Sequence, residues 1–211
     1  MEVNSSSNIE PPKLVLIAGA TGVGKSTTSI TVAKKLNFSR CISTDAIREI
    51  LRTVNDQEKN PNLFKSSFSK GETGNPVTDW KDSCEPIDGG IKATIKRARR
   101  EGIDLILEGV HIIPSNEFLR EWVGEGGIAI GVVLHVKNKH KHLEMIKERE
   151  KSSWRTAERY IESFERIRKI QEGILENAIP YSWNTIDPTK ENASEKIEHL
   201  LDLEWNKYNF S

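Results

Sequence analysis

Apolar residues along this chain gather in five short runs, separated by longer stretches in which they recur every three or four positions. "KLVLIAG" (13–19), "IDLILEG" (103–109) and "GIAIGVVLHV" (127–136) are apolar almost without interruption. That is the pattern of strands covered on both faces, since a strand with one wet face alternates. "CIST" (41–44) and "YSWNTID" (181–187) are shorter strand candidates. Between the runs, helical spacing is predicted over 25–36, 45–54, 85–100, 138–150, 155–177 and 191–205, with a short helical stretch inside 111–122. Gly102 stands where a helix C-terminal glycine belongs.

Residues 55–83, polar and punctuated by Pro61 and Pro76, read as one long loop, and loops of that length are usually functional. Strands alternating with helices predict an α/β fold, a three-layer sandwich with a five-stranded parallel sheet. One domain over 13–211 is expected, with residues 1–12 a polar lead.

Charge and cysteines narrow the function. Lys plus Arg and Asp plus Glu number 31 each, so the net charge is zero and gives no argument for nucleic acid or an anionic membrane as partner. The basic run "KRARR" (96–100) falls in the last turn of a helix, where cations complement the dipole. Cys41 and Cys84 are far apart and in no CxxC spacing, which fits a reducing compartment. No apolar run approaches the roughly 20 residues that span a bilayer. A soluble, cytoplasmic protein is expected.

The chemistry starts at "GATGVGKS" (19–26), a complete match to G-x-x-x-x-G-K-[ST] between a strand and a helix. Its glycines let the backbone fold back so that successive N–H groups converge on an anion, to which the helix N-terminus adds its dipole. Gly19, Thr21, Gly22, Val23, Gly24, Lys25, Ser26 and Thr27 are the predicted nucleotide-binding residues. Lys25 brings a full charge to the outer phosphates, and the Ser26 hydroxyl is the expected Mg²⁺ ligand.

The chain has no N-K-x-D and no strand ending in D-x-x-G, which argues against a guanine-reading switch. Instead the second strand ends in "STD". In a parallel sheet the strand carboxyl ends face the ligand crevice, so Asp45 is expected near the γ-phosphate. It could orient an acceptor hydroxyl, take its proton or hold Mg²⁺; it could also merely cap its helix. Arg48 and Arg52 lie one and two helical turns on. Glu108 ends the third strand where metal or water ligation is expected, and His111 is a weaker substrate candidate.

Phosphoryl transfer needs cations over the equatorial oxygens. Arg149, Arg155 and Arg159 flank a polar break at 151–153, the natural place for a lid over about 138–160; Arg149 and Arg155 are the catalytic candidates there. On a helical projection from residue 155, Ala157, Tyr160, Ile161, Phe164, Ile167 and Ile174 form an apolar stripe, with Arg166 on the solvated side. Arg168 falls within the stripe and requires a partner, either a carboxylate or a substrate anion.

"GATGVGKST", "STDAIRE", "EPIDGGIKATIKRARREG", "LILEGVHIIP" and "RYIESFERIRKIQ" together resemble the archaeal-type 2-phosphoglycerate kinases, and more distantly zeta-toxin-type P-loop kinases. The resemblance runs from about Lys13 to Asp187. It implies transfer of the γ-phosphate of ATP, with Mg²⁺, to 2-phosphoglycerate, giving 2,3-bisphosphoglycerate. It also implies that "NLFKSSFSKGE" is a substrate loop, with Ser66 and Ser67 at the acceptor. Other acceptors stay open, namely an inositol phosphate, a nucleotide sugar or a polynucleotide 5′ end, as does an ATP-binding regulatory protein.

Overall fold

The computed structural model describes residues 10–151 and 158–210. Five strands, β1 (Lys13–Ala18), β2 (Arg40–Ser43), β3 (Leu105–Gly109), β4 (Ile128–Leu134) and β5 (Asn184–Ile186), form one parallel sheet in the order β2-β3-β1-β4-β5. Leu16 sits between Leu107 of β3 and Gly131 of β4, so β1 lies at the centre. Every residue of β3 and β4 is buried, as their unbroken apolar runs require of strands covered on both faces.

The covering comes from helices α1 (Lys25–Lys35), α2 (Thr44–Val54), α3 (Pro61–Phe64), α4 (Pro76–Arg100), α5 (Glu117–Gly124), α6 (Lys139–Lys151), α7 (Glu158–Glu162), α8 (Phe164–Ala178) and α9 (Ala193–Phe210). α1 packs on α9, while α4 packs against α2, α3 and α8. Because the strands are parallel, the segments leaving β1, β2 and β3 emerge on one edge of the sheet. That edge gathers the phosphate loop, the start of α2 and the 109–111 turn.

Helix α4 closes as expected: Gly102 takes a left-handed φ of 61°, its N–H reaches the Arg99 carbonyl (3.0 Å), and the Ile103 N–H reaches Ala98 (2.9 Å). Its start differs from expectation. The Asn75 side chain accepts from the N–H groups of Val77 (2.9 Å) and Thr78 (3.1 Å), and Pro76 occupies the first turn, where no N–H is needed. Residues 55–83 are therefore not one loop. They contain α3 and the first two turns of α4, a helix that runs on through Pro86.

The helix predicted over 155–177 is also two elements, broken at Ser163, with residues 152–157 outside the described part of the chain. Its buried stripe is Tyr160, Phe164, Ile167, Ile170 and Ile174; Ile161 is 40% exposed instead. Among the described residues, no helix is long and apolar enough to cross a membrane.

Candidate active site

Two cavities meet above the carboxyl edge of the sheet. The first, of 440 Å³, is lined by Gly22, Gly24, Lys25, Ser26, Thr27, Met145, Glu148 and Arg149. Gly22 (φ 83°) and Gly24 (φ 88°) take the left-handed conformation that lets the loop reverse, and Gly24 stands at the N-cap of α1 with no side chain capping it. The first-turn N–H groups of α1 are left for an anion. Gly19 and Val23 lie beneath this wall: a Cβ at Gly19 would meet the Leu134 carbonyl at 2.6 Å, and Val23 is wholly buried.

Lys25 folds over its own loop and donates to the Ala20 carbonyl (2.8 Å). Desolvation lowers its pKa and the Arg149 charge adds to the effect, while Glu108 and Asp45 oppose it. The Ser26 hydroxyl donates to Glu108 (2.9 Å), a buried carboxylate at the end of β3. These two oxygen donors suit Mg²⁺, which is held by one or two protein groups plus waters and substrate phosphates. Among the described residues, no group of three or more His, Cys, Asp or Glu side chains could hold a metal unaided.

The second cavity, of 510 Å³, adjoins the first and shares Arg149 with it. Among the described residues, Arg48, Arg52, Arg149 and Arg159 line it, together with Thr21, Asp45, Glu49, Ser66 and Ser67. Asp45 is 3.1 Å from Arg48. It is not a helix cap: Ser43 does that work, its hydroxyl accepting from the Ala46 N–H (3.1 Å). Arg52 is set by Glu49 (2.7 Å) and the Leu63 carbonyl (2.9 Å), with its guanidinium 5.6 Å from the Phe64 ring. Arg159 donates to the Ser66 hydroxyl (2.8 Å) and lies over Phe68 and Tyr160. Ser67 is buried. Arg155 lies outside the described residues.

Two predicted substrate contacts are placed elsewhere. His111 is 3% exposed, with Nδ1 3.0 Å from the Thr44 hydroxyl, and it lines a separate, largely apolar cavity with Cys84, Leu107 and Phe118. Burial, helped by Arg48, Lys25 and Arg52 and opposed by Asp45, pushes its pKa down to about 3, so it is neutral at pH 7. Thr44 comes this close because residue 109 is glycine: a Cβ there would meet the Thr44 hydroxyl at 1.7 Å. Among the described residues, Arg168 meets no carboxylate, and it does not line the second cavity. It donates to the carbonyls of Val136 (2.5 Å) and Lys137 (3.2 Å) and lies 3.4 Å from His142 Nδ1.

One residue expected on a solvated face organises the second cavity instead. Arg166 donates to the carbonyls of Phe68 (3.0 Å), Ser69 (3.1 Å) and Gly74 (2.9 Å) and pairs with Asp79 (2.8 Å). Asp79 also accepts from the Gly71 N–H (2.8 Å) and the Thr73 hydroxyl (2.7 Å), so one buried carboxylate ties the loop carrying Ser66 to α4 and α8.

A family model described as an AAA domain matches residues 15–173. The chain is 33% identical over 201 residues to the 2-phosphoglycerate kinase of Methanopyrus kandleri, covering 91% of this chain and 60% of that one. It is 30% identical over 208 residues to the 2-phosphoglycerate kinase of Methanocaldococcus jannaschii, covering 92% and 67%. It thus spans only about 60% of the length of the first of these relatives. In fold it is similar to the shikimate kinase of Bacteroides thetaiotaomicron, with a TM-score of 0.52 at 18% identity, over 90% of this chain and 98% of that one.

Proposed function

The chain belongs to the 2-phosphoglycerate kinase family, and on that premise we propose that it transfers the γ-phosphate of ATP to 2-phosphoglycerate, forming 2,3-bisphosphoglycerate. The observation that carries this reading is the arginine-lined cavity joined to the phosphate loop through Arg149. An acceptor bearing both a phosphate and a carboxylate needs several fixed cations away from the donor phosphates. Guanidinium groups grip such anions with paired N–H bonds.

In this reading Gly22, Gly24, Lys25, Ser26 and Thr27 hold the donor phosphates. Ser26 and Glu108 would hold Mg²⁺, which would neutralise charge on those phosphates. Arg48, Arg52 and Arg159 orient the acceptor, with Ser66 beside them. Asp45 takes the proton from the acceptor hydroxyl as its oxygen bonds to the γ-phosphorus and the bond to the ADP oxygen breaks. Lys25 and Arg149 face the charge that develops on the transferred group.

The test is ADP release measured with ATP and Mg²⁺ alone, then with 2-phosphoglycerate, an inositol phosphate or an oligonucleotide 5′ end added. Release dependent on 2-phosphoglycerate, with the bisphosphate detected by ³¹P NMR, supports the reading. Dependence on another acceptor replaces the substrate. Release that needs no acceptor overturns the kinase reading.

A further inference from the structure

Arg168 and His142 have work that the phosphoryl-transfer scheme leaves unstated. His142 is wholly enclosed on α6, packed against the Phe164 ring, with its Nε2 2.8 Å from the Thr21 carbonyl in the middle of the phosphate loop. A carbonyl only accepts, so Nε2 carries the proton and Nδ1 is left as an acceptor. The group 3.4 Å from Nδ1 is the Arg168 guanidinium, which only donates. Both contacts therefore select the same neutral tautomer. Arg168 is held in turn by the carbonyls of Val136 and Lys137, in the segment just past β4, where Gln171 also bonds Val136 through both its N–H and its carbonyl.

We propose that Arg168 and His142 are positioning residues for the donor site: they pin the Thr21–Gly22 peptide with its carbonyl outward, so that the Gly22 N–H faces the phosphate. The physical reason is the planar trans peptide, in which C=O and N–H point in opposite directions, so fixing one aims the other. Gly22 has a left-handed φ of 83° and no side chain to restrain it, and a Cβ there would meet Ile146 at 2.3 Å. The loop thus needs glycine at this position and gets its restraint from α6. The preorganised N–H costs nothing to align when the anion arrives. Burial holds the His142 pKa down to about 4, with the Arg168 and Lys25 charges adding and the bond to Thr21 opposing, so the tautomer persists at neutral pH.

The inference rests on the reading of the loop as an ATP site, and the experiment separates the two. ATP binding is measured by calorimetry with no acceptor present, for the whole chain and for His142→Ala, His142→Gln and Arg168→Met, with folding checked by circular dichroism. Loss of one hydrogen bond corresponds to a weakening of about two- to tenfold. The expected pattern is weaker ATP binding in His142→Ala and Arg168→Met, recovery in His142→Gln, whose amide can donate to Thr21, and an unchanged KM for 2-phosphoglycerate. Equal losses in the Ala and Gln variants would reduce His142 to packing and overturn the proposal. So would wild-type ATP affinity in a folded His142→Ala, or an effect of Arg168→Met on the acceptor KM alone. If the unaltered chain binds no ATP, the kinase reading itself fails.

Discussion

The two cavities are built in different ways. The donor side is a backbone structure: glycines, uncapped N–H groups and a lysine, compressed into eight consecutive residues and clamped by His142 from α6. The second cavity, which we propose takes the acceptor, is a side-chain structure, with arginines drawn from α2, α6 and α7 and serines from a loop that is itself tied down by Arg166 and Asp79. Backbone amides recognise phosphate in general, whereas a particular spacing of guanidinium groups selects a particular anion. The consequence is that donor chemistry is shared widely across folds of this kind, while the acceptor depends on residues that no short motif records.

Substitutions that separate chemistry from binding break this comparison most sharply. Asp45→Asn keeps the shape and leaves the helix cap to Ser43, yet removes the carboxylate we propose as the base. Turnover should fall by about 10² to 10⁴ while the ATP dissociation constant stays near that of the unaltered chain. Measuring both on the same preparation decides it, and an unaltered kcat removes Asp45 from the chemistry. Lys25→Ala should cost about 10² to 10³ in turnover with the fold intact, since one preorganised contact to developing charge is lost. Full activity in that variant would sink the assignment of the loop. Arg159→Ala acts on the other side: the acceptor KM should rise about ten- to a hundredfold, the worth of a charge-assisted hydrogen bond, with ATP affinity untouched. If ATP affinity moves instead, the two cavities are not separable.

What the sequence made readable follows the same division. Continuous apolar runs at 13–19, 103–109 and 127–136 identified the central strands because burial on both faces leaves no polar positions to confuse the pattern. The phosphate loop was legible because its eight residues are consecutive; Asp45, expected at the end of the second strand, stands instead in the first turn of α2, and Glu108 meets Ser26 only across 82 residues of chain, through the sheet. Arg166 was misread because its partners are carbonyls of residues 68–74 and the Asp79 carboxylate, in a segment shaped by the start of α4 at Pro76, capped by Asn75, that looked like loop. His142 was missed inside the polar stretch "NKHKHLEM". Its helical spacing to Ile146, four residues on, was the available clue, and only the packing of Phe164 and the phosphate loop makes that face a buried one.

The smallest expected effect sharpens the comparison through pH. Burial alone would raise the Asp79 carboxyl, but the bonds from Thr73, Gly71 and Arg166 outweigh it and hold the pKa at about 2, below its ordinary 3.8. A carboxylate whose pKa is depressed by folding contributes stability that is fully present above pH 3.8 and fades as pH falls toward 2. Asp79→Asn should therefore lower Tm by a few degrees at neutral pH, and the gap to the unaltered chain should narrow only in that acid window. The same variant loosens the loop carrying Ser66, so its acceptor KM should rise at pH 7 while ATP affinity holds. The donor loop offers a contrast: its restraint comes from a histidine that is neutral down to about pH 4, so nothing in that clamp titrates near neutrality. A Tm gap that stays constant down to pH 2 would show that Asp79 acts as a neutral hydrogen-bond acceptor, and that the acceptor loop is not held by charge.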